Sequence, residues 1–223
     1  MNDLSNWAPC ALPPLMPMGG KHAVLHPIVD DQYFDDLWSA YSADKEGVIW
    51  AYLPYGPFEN KIDFLAFAKS LYLGKDPMFH ALVDVKTDKA VGVASLMRIN
   101  EAHGVIEVGH ICYAPIAQRT AMTTEAMYLF GCRVFDELGY RRFEWKCNAA
   151  NQASCRAAER FGFSFEGTFR QALVVKGKNR DTAWFSIIDS EWPKLKLVYE
   201  AWLADENFDE NGKQKRSLGD LKG

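Results

Sequence analysis

Three runs rich in apolar and β-branched residues follow one another with almost nothing between them: FHALVDVK from Phe79, AVGVASLMRI from Ala90 and VIEVGHICYA from Val105. Thr87, Asp88 and Lys89 separate the first two, and residues 100–104 separate the second from the third. That is room for tight turns and too little for a crossover helix, so the middle of the chain is predicted to form an antiparallel meander. Pro115 halts the third strand, and the period then changes. From Thr124 to Leu138, residues Met127, Phe130, Val134 and Leu138 share one helical face, with Gly139 placed to end the helix.

The flanks extend this order. Downstream come a strand in RRFEWKC, an alanine-rich helix from Ala153 to Phe161, and two strands, FSFEGTFRQALVV and DTAWFSIID, around a Lys-Gly-Lys-Asn turn. Upstream, His22 to His26 reads as a short strand, and Asp30 to Tyr41 as a helix with Phe34, Leu37, Trp38 and Tyr41 on one face. Ile62, Leu65, Phe67, Ala68 and Leu71 recur at helical spacing until Gly74. A doubly wound nucleotide fold would alternate strand and helix throughout and carry an early glycine fingerprint, so it is excluded. The prediction is one α/β (α+β) domain over residues 21–192, built on a mixed sheet. Residues 1–20 read as an extended Pro/Gly-rich arm, and residues 193–223 as the rest of a terminal helix running from Glu191 to Leu203, then a loosely held polar tail.

Charge and cysteines narrow the function. Twenty-five basic against twenty-nine acidic residues give a net charge of -4, too balanced for an electrostatic grip on nucleic acid. The five cysteines are odd in number and form no CxxC pair, which argues against a disulfide framework and a thiolate metal site. No apolar run approaches the roughly 18 residues that cross a bilayer, and prolines interrupt the N-terminal stretch where a signal peptide needs an apolar core. A cytoplasmic protein with no metal, no nucleic-acid partner and no membrane partner is expected.

The stretch EVGHICYAPIAQRTAMTTEAM runs from strand through proline and a polar loop into a helix. The first amides of a helix lack intrahelical acceptors and sit at the positive end of its dipole, so this junction suits a diphosphate; Thr123 and Thr124 are candidate caps. Together with NQASCRAAERFGFSFEG downstream, it resembles the GNAT acetyltransferases, in particular the RimJ/RimL-like branch of ribosomal-protein N-terminal acetyltransferases. The likeness covers residues 22–192 and is strongest from Val105 to Asp189.

That resemblance implies a GNAT fold with six to seven strands, splayed between the strands at 105–114 and 141–147, and an acetyl group moved directly from acetyl-CoA to a primary amine. The amine belongs to a protein N-terminus or a small molecule. The family's pyrophosphate loop falls on Gln118, Arg119, Thr120, Ala121, Met122 and Thr123, with Ala121 and Thr123 in positions usually held by glycine or a small residue. Cys112 and Tyr113 would offer backbone groups to the pantetheine arm, and Asn151 and Ser154 would face it from the next helix. The family's tyrosine acid falls on Ala158, so the acid is absent; Ser154 is the substitute, unless it is only a cap or a coenzyme contact. A non-catalytic CoA-binding module is the alternative.

An amine attacks a thioester only when neutral, and a lysine-like amine has a pKa near ~10, so its proton needs an exit. Strand alternation puts Glu107, Gly109 and Ile111 on one face, which makes Glu107 the candidate base or else a surface carboxylate. His110 is expected to point the other way. Arg170 and Asp181, at the final hairpin, are the candidate acceptor contacts, with a turn-side ion pair as the competing reading. Tyr199 and Trp202 in the terminal helix would pack on their own domain or on a second copy in a homodimer.

Overall fold

In the computed structural model, which describes residues 3–222, eight strands form one open sheet. They are β1 (Met18–Gly19), β2 (Ala23–Pro27), β3 (Met78–Asp84), β4 (Lys89–Asn100), β5 (Val105–Tyr113), β6 (Arg142–Asn148), β7 (Ser164–Val175) and β8 (Lys178–Ile188). Their order is β1-β2-β3-β4-β5-β6-β8-β7, one more strand than the six to seven expected. The addition comes from the supposed arm: Met18 is buried and pairs with Leu25, so the arm ends as an edge strand. Further back the arm lies along the domain, where the Tyr140 hydroxyl donates to the Ala11 carbonyl (3.1 Å) and Arg133 donates to that of Pro14 (3.3 Å).

The meander stands as predicted, and among the described residues β5 and β6 form the only parallel pair. Turn chemistry fixes the final hairpin. Lys176 (φ 48°) and Gly177 (φ 71°) are both left-handed, as a two-residue turn matching strand twist requires.

Among the described residues six α-helices cover the two faces unequally. α1 (Phe34–Tyr41) and α2 (Lys61–Leu71) bury Phe34, Leu37, Phe64 and Ala68 on one side. On α2 the buried stripe is centred on Phe64, and Ile62, predicted inside, is exposed. On the other side lie α3 (Ala121–Gly131), α4 (Gln152–Phe161), α5 (Trp192–Leu203) and α6 (Leu218–Lys222). α3 begins three residues earlier than expected and passes into a π-helical turn over Cys132–Glu137. Thr120, extended at φ -104° and ψ 169°, is its N-cap residue, while Thr123 and Thr124 lie inside the helix and cap nothing.

The polar tail is not loose. Leu218 is fully buried in the core of the second face, and the Asn207 side chain bonds the carbonyls of Trp202 and Arg216 and the Arg216 amide. Tyr199 and Trp202 are buried on their own domain, with the Tyr199 hydroxyl on the Phe161 carbonyl (2.8 Å). Among the described residues no helix is long and apolar enough to cross a membrane.

Candidate active site

The sheet opens at its parallel pair. β5 and β6 are paired from Val105↔Arg142 to Val108↔Trp145 and no further, so residues 109–113 of β5 have no partner on the β6 side. The strands part where β5 bulges: Val93 pairs with Cys112 but Ser95 with Gly109, which inserts one extra residue, and His110 takes a left-handed φ of 50° there. A bulge unpairs backbone and turns the strand aside. The resulting cleft has a volume of about 1450 Å³.

One end of the cleft suits an anion. Thr120 to Thr123 line it at the start of α3, where helix geometry leaves the first amides without internal acceptors. Arg119 (φ 60°) makes the turn into the helix, and the Gln118 side chain ties the loop back to the Tyr113 carbonyl (2.9 Å). Ala121 and Thr123 leave the loop open to the cleft rather than sealing it. Thr124 and Arg160 line the cleft behind the loop, and the Thr124 hydroxyl accepts from Arg160 (3.1 Å).

On the opposite wall α4 starts at Asn151, whose Oδ1 accepts the Ser154 amide (3.1 Å). The Ser154 Oγ accepts from the Trp145 indole (3.1 Å), which fixes the hydroxyl at the cleft and leaves its own proton to donate. Ala158 is fully buried in the core, and the Cys112 carbonyl accepts the Tyr41 hydroxyl (3.0 Å). All five cysteines are free; burial pushes the Cys147 thiol up to about 12, which removes it as a nucleophile at neutral pH.

The other end lies on the α1/α2 side. Glu107 is there, its side chain 4% exposed, accepting from Arg98 Nη1 (3.0 and 2.8 Å) and paired with Lys146 (2.8 Å). Lys146 also meets Glu144 (2.7 Å), Glu144 meets Arg142 (2.7 Å), and Arg142 meets Glu166, a continuous chain of alternating charge. His110 is on the same side as Glu107, contrary to expectation, because the bulge reverses the alternation. Its ring stacks on Tyr55, whose hydroxyl meets Nδ1 (3.1 Å), and it packs against Phe79. Burial, and then the Arg98 and Arg180 guanidinium groups, lower the imidazole to about 4, so it is neutral at pH 7.

The structure separates the two predicted acceptor contacts from this cleft. Arg170 and Asp181 share a shallow groove with Phe169 and Asn179. Asp181 accepts the amide of Gln171 (2.7 Å) and the side chain of Asn179 (3.0 Å), holding a bulge in β7; these bonds keep its carboxyl below the usual range. Arg180, its neighbour, lines the cleft instead. Sequence reasoning missed Arg98 and Lys146 as site residues, and it favoured solvation of the hairpin turn over a carboxylate contact for Arg180. The signal for the last was alternation: counting back from Trp184, which pairs with Lys146, places Thr182 and Arg180 on the Glu107 face.

A sheet parted beside a helix start, with a serine fixed across the gap, is the architecture of a coenzyme A-dependent acyltransferase. Residues 23–164, more than half of the chain, match the acetyltransferase (GNAT) domain family, and the protein belongs to it. A GCN5-related N-acetyltransferase from Brucella melitensis superposes with TM-score 0.95 at 45% identity, over 98% of this chain and 99% of that one. A GNAT-family protein from Chromobacterium violaceum gives TM-score 0.80 at 38% identity, over 86% of this chain and 96% of that one. YdaF of Bacillus subtilis, a candidate ribosomal N-acetyltransferase, is 27% identical over 101 residues, 45% of this chain. That match spans 55% of the curated relative, little more than half its length. Among the described residues no cluster of three or more His, Cys, Asp or Glu is arranged to hold a metal ion.

Proposed function

We propose that the protein transfers the acetyl group of acetyl-CoA directly to a primary amine, on a small molecule or a protein N-terminus as in the RimJ/RimL-like branch. The coenzyme supplies an acetyl group activated as a thioester. The observation that carries the proposal is the unpaired β5 edge beyond Val108, facing Ser154 with the free amides of α3 at its mouth.

Each residue then has a task. The amides of Thr120, Ala121, Met122 and Thr123 bind the diphosphate, with Arg119 shaping the turn and Thr124 fixed behind them by Arg160. The open edge at Cys112 and Tyr113 and the Asn151 side chain align the pantetheine, and a bulge amide next to His110 polarises the acetyl carbonyl. Glu107 receives the ammonium and passes its proton to solvent. Its carboxylate is already paired with Arg98 and Lys146, so an α-amine with pKa near ~8, already partly neutral at pH 7.5, is a better acceptor than a lysine-like amine. Ser154 gives its proton to the departing thiolate and recovers one from the nitrogen, which sheds it on becoming an amide.

The buried Ala158, where relatives carry a tyrosine, favours a second reading as a CoA-binding module without turnover. Thiol release from acetyl-CoA, measured with a panel of amines, decides between them. Transfer predicts amine-dependent release, whereas the module predicts tight CoA binding and no release with any amine.

A further inference from the structure

The acceptor end of the cleft holds one cation too many. In the chain Arg98, Glu107, Lys146, Glu144, Arg142, Glu166, every charge has an opposite partner. Arg180 stands outside it: the guanidinium is half-buried and lines the cleft, and its Nε is buried with no hydrogen-bond partner among the described residues. Burial pushes its proton affinity down; Cys147 and Glu107 draw it back up, and Arg98 lowers it further. A desolvated guanidinium with an idle donor is costly unless an anion completes it. Arg98 adds to the same end, because both of its bonds to Glu107 leave from Nη1 and its Nη2 and Nε remain available.

The space is also roofed. The Tyr52 hydroxyl reaches the Ala150 carbonyl (3.2 Å), and Lys176 at the tip of the β7–β8 hairpin reaches the Trp50 carbonyl (3.0 Å). The loop after α1 is thereby tied both to the start of α4 and to the hairpin, which encloses a small molecule better than it admits a passing peptide.

We propose that the acceptor is a small amine carrying an anionic group, carboxylate or phosphate, a few atoms from its nitrogen, with Arg180 and the free edge of Arg98 holding the anion while Glu107 receives the amine. This deepens the transfer reading and rests on it. The test is calorimetric binding to the full chain saturated with CoA, so that the coenzyme's own anion site is filled. Two matched pairs serve as probes: N-acetylglycine against N-acetylglycinamide, and O-phospho-N-acetylethanolamine against N-acetylethanolamine.

At least one anionic member should bind about 10- to 100-fold tighter than its neutral partner, as expected for charge-assisted hydrogen bonds, and the favoured pair identifies the anion. Arg180→Gln should erase the difference with CoA affinity unchanged, and Arg180→Lys should keep part of it. Equal affinities within both pairs, a preference for the neutral members, or no binding of any probe overturns the proposal, and the wild-type comparison stands even where a variant fails to fold. The two readings fail separately. Anion preference without amine-dependent thiol release sinks transfer and leaves an anion site with no acceptor role, whereas release without anion preference sinks this inference alone.

Discussion

Ser154 is held by its neighbours on both sides, the Asn151 Oδ1 on its amide and the Trp145 indole on its oxygen, so its one free group is the hydroxyl proton. Ser154→Ala should therefore lower kcat about 10- to 100-fold with little change in the KM for acetyl-CoA, as steady-state kinetics would read. If KM rises instead, the serine is a coenzyme contact. His80 makes a different prediction. Burial lowers it to about 4, its Nδ1 meeting the Met78 carbonyl at 3.1 Å, whereas an unfolded histidine titrates near ~6.5. Above pH ~6.5 both states are neutral; between there and pH 4 the unfolded chain binds the extra proton, so stability falls by up to ~3 kcal/mol. His80→Phe should flatten that decline in denaturant titrations from pH 7 to 4, and an unchanged slope would contradict the account. At this scale the sequence was legible wherever alternation held: Glu107 is where its strand pattern put it. His110 is not, because nothing in Val-Gly-His-Ile demands a bulge, although histidine is among the side chains more often found at positive φ.

Among the elements, α3 decides the most. Its amphipathic run was readable, but its start was not, since Thr120, Thr123 and Thr124 are equally good cap types and tertiary packing chose among them. Thr123 and Thr124 are buried, which leaves Thr120 at the boundary. With Ala121 as the first helical residue and Thr120 extended before it, proline fits at position 121 with no helical hydrogen bond lost. Ala121→Pro should keep the melting temperature while weakening CoA binding about 10-fold or more by calorimetry, because one amide leaves the diphosphate site. Undiminished affinity would mean the phosphates bind elsewhere. The π turn after Gly131 left no mark in the sequence, whereas Gly139 (φ 67°) follows the helix end where the period placed it.

For the whole molecule, the meander could be read because it depends on local runs and short turns, whereas the splay followed only from the family resemblance, since it depends on the bulge at His110. The charge chain from Arg98 to Glu166 could not be read, since its members come from four strands and meet only after folding. The C-terminal tail was misjudged for a related reason: its composition is polar, yet Leu218 inserts fully into the core beside α5, with Phe208 and Leu221 packed against the same cluster. Leu218→Ala should cost about 2–5 kcal/mol of unfolding free energy, and a change near zero would mean the tail is bound weakly after all.

The central claim is that the gap between β5 and β6 is where acetyl-CoA lies, and a crystal structure of the complex tests it most directly. The account predicts the diphosphate on the amides of residues 120–123 and the pantetheine passing between β5 and β6 beyond the Val108↔Trp145 pair, its thioester within reach of the Ser154 hydroxyl. Coenzyme bound on another face, or the two strands paired past Trp145 with the thiol arm outside, would contradict it.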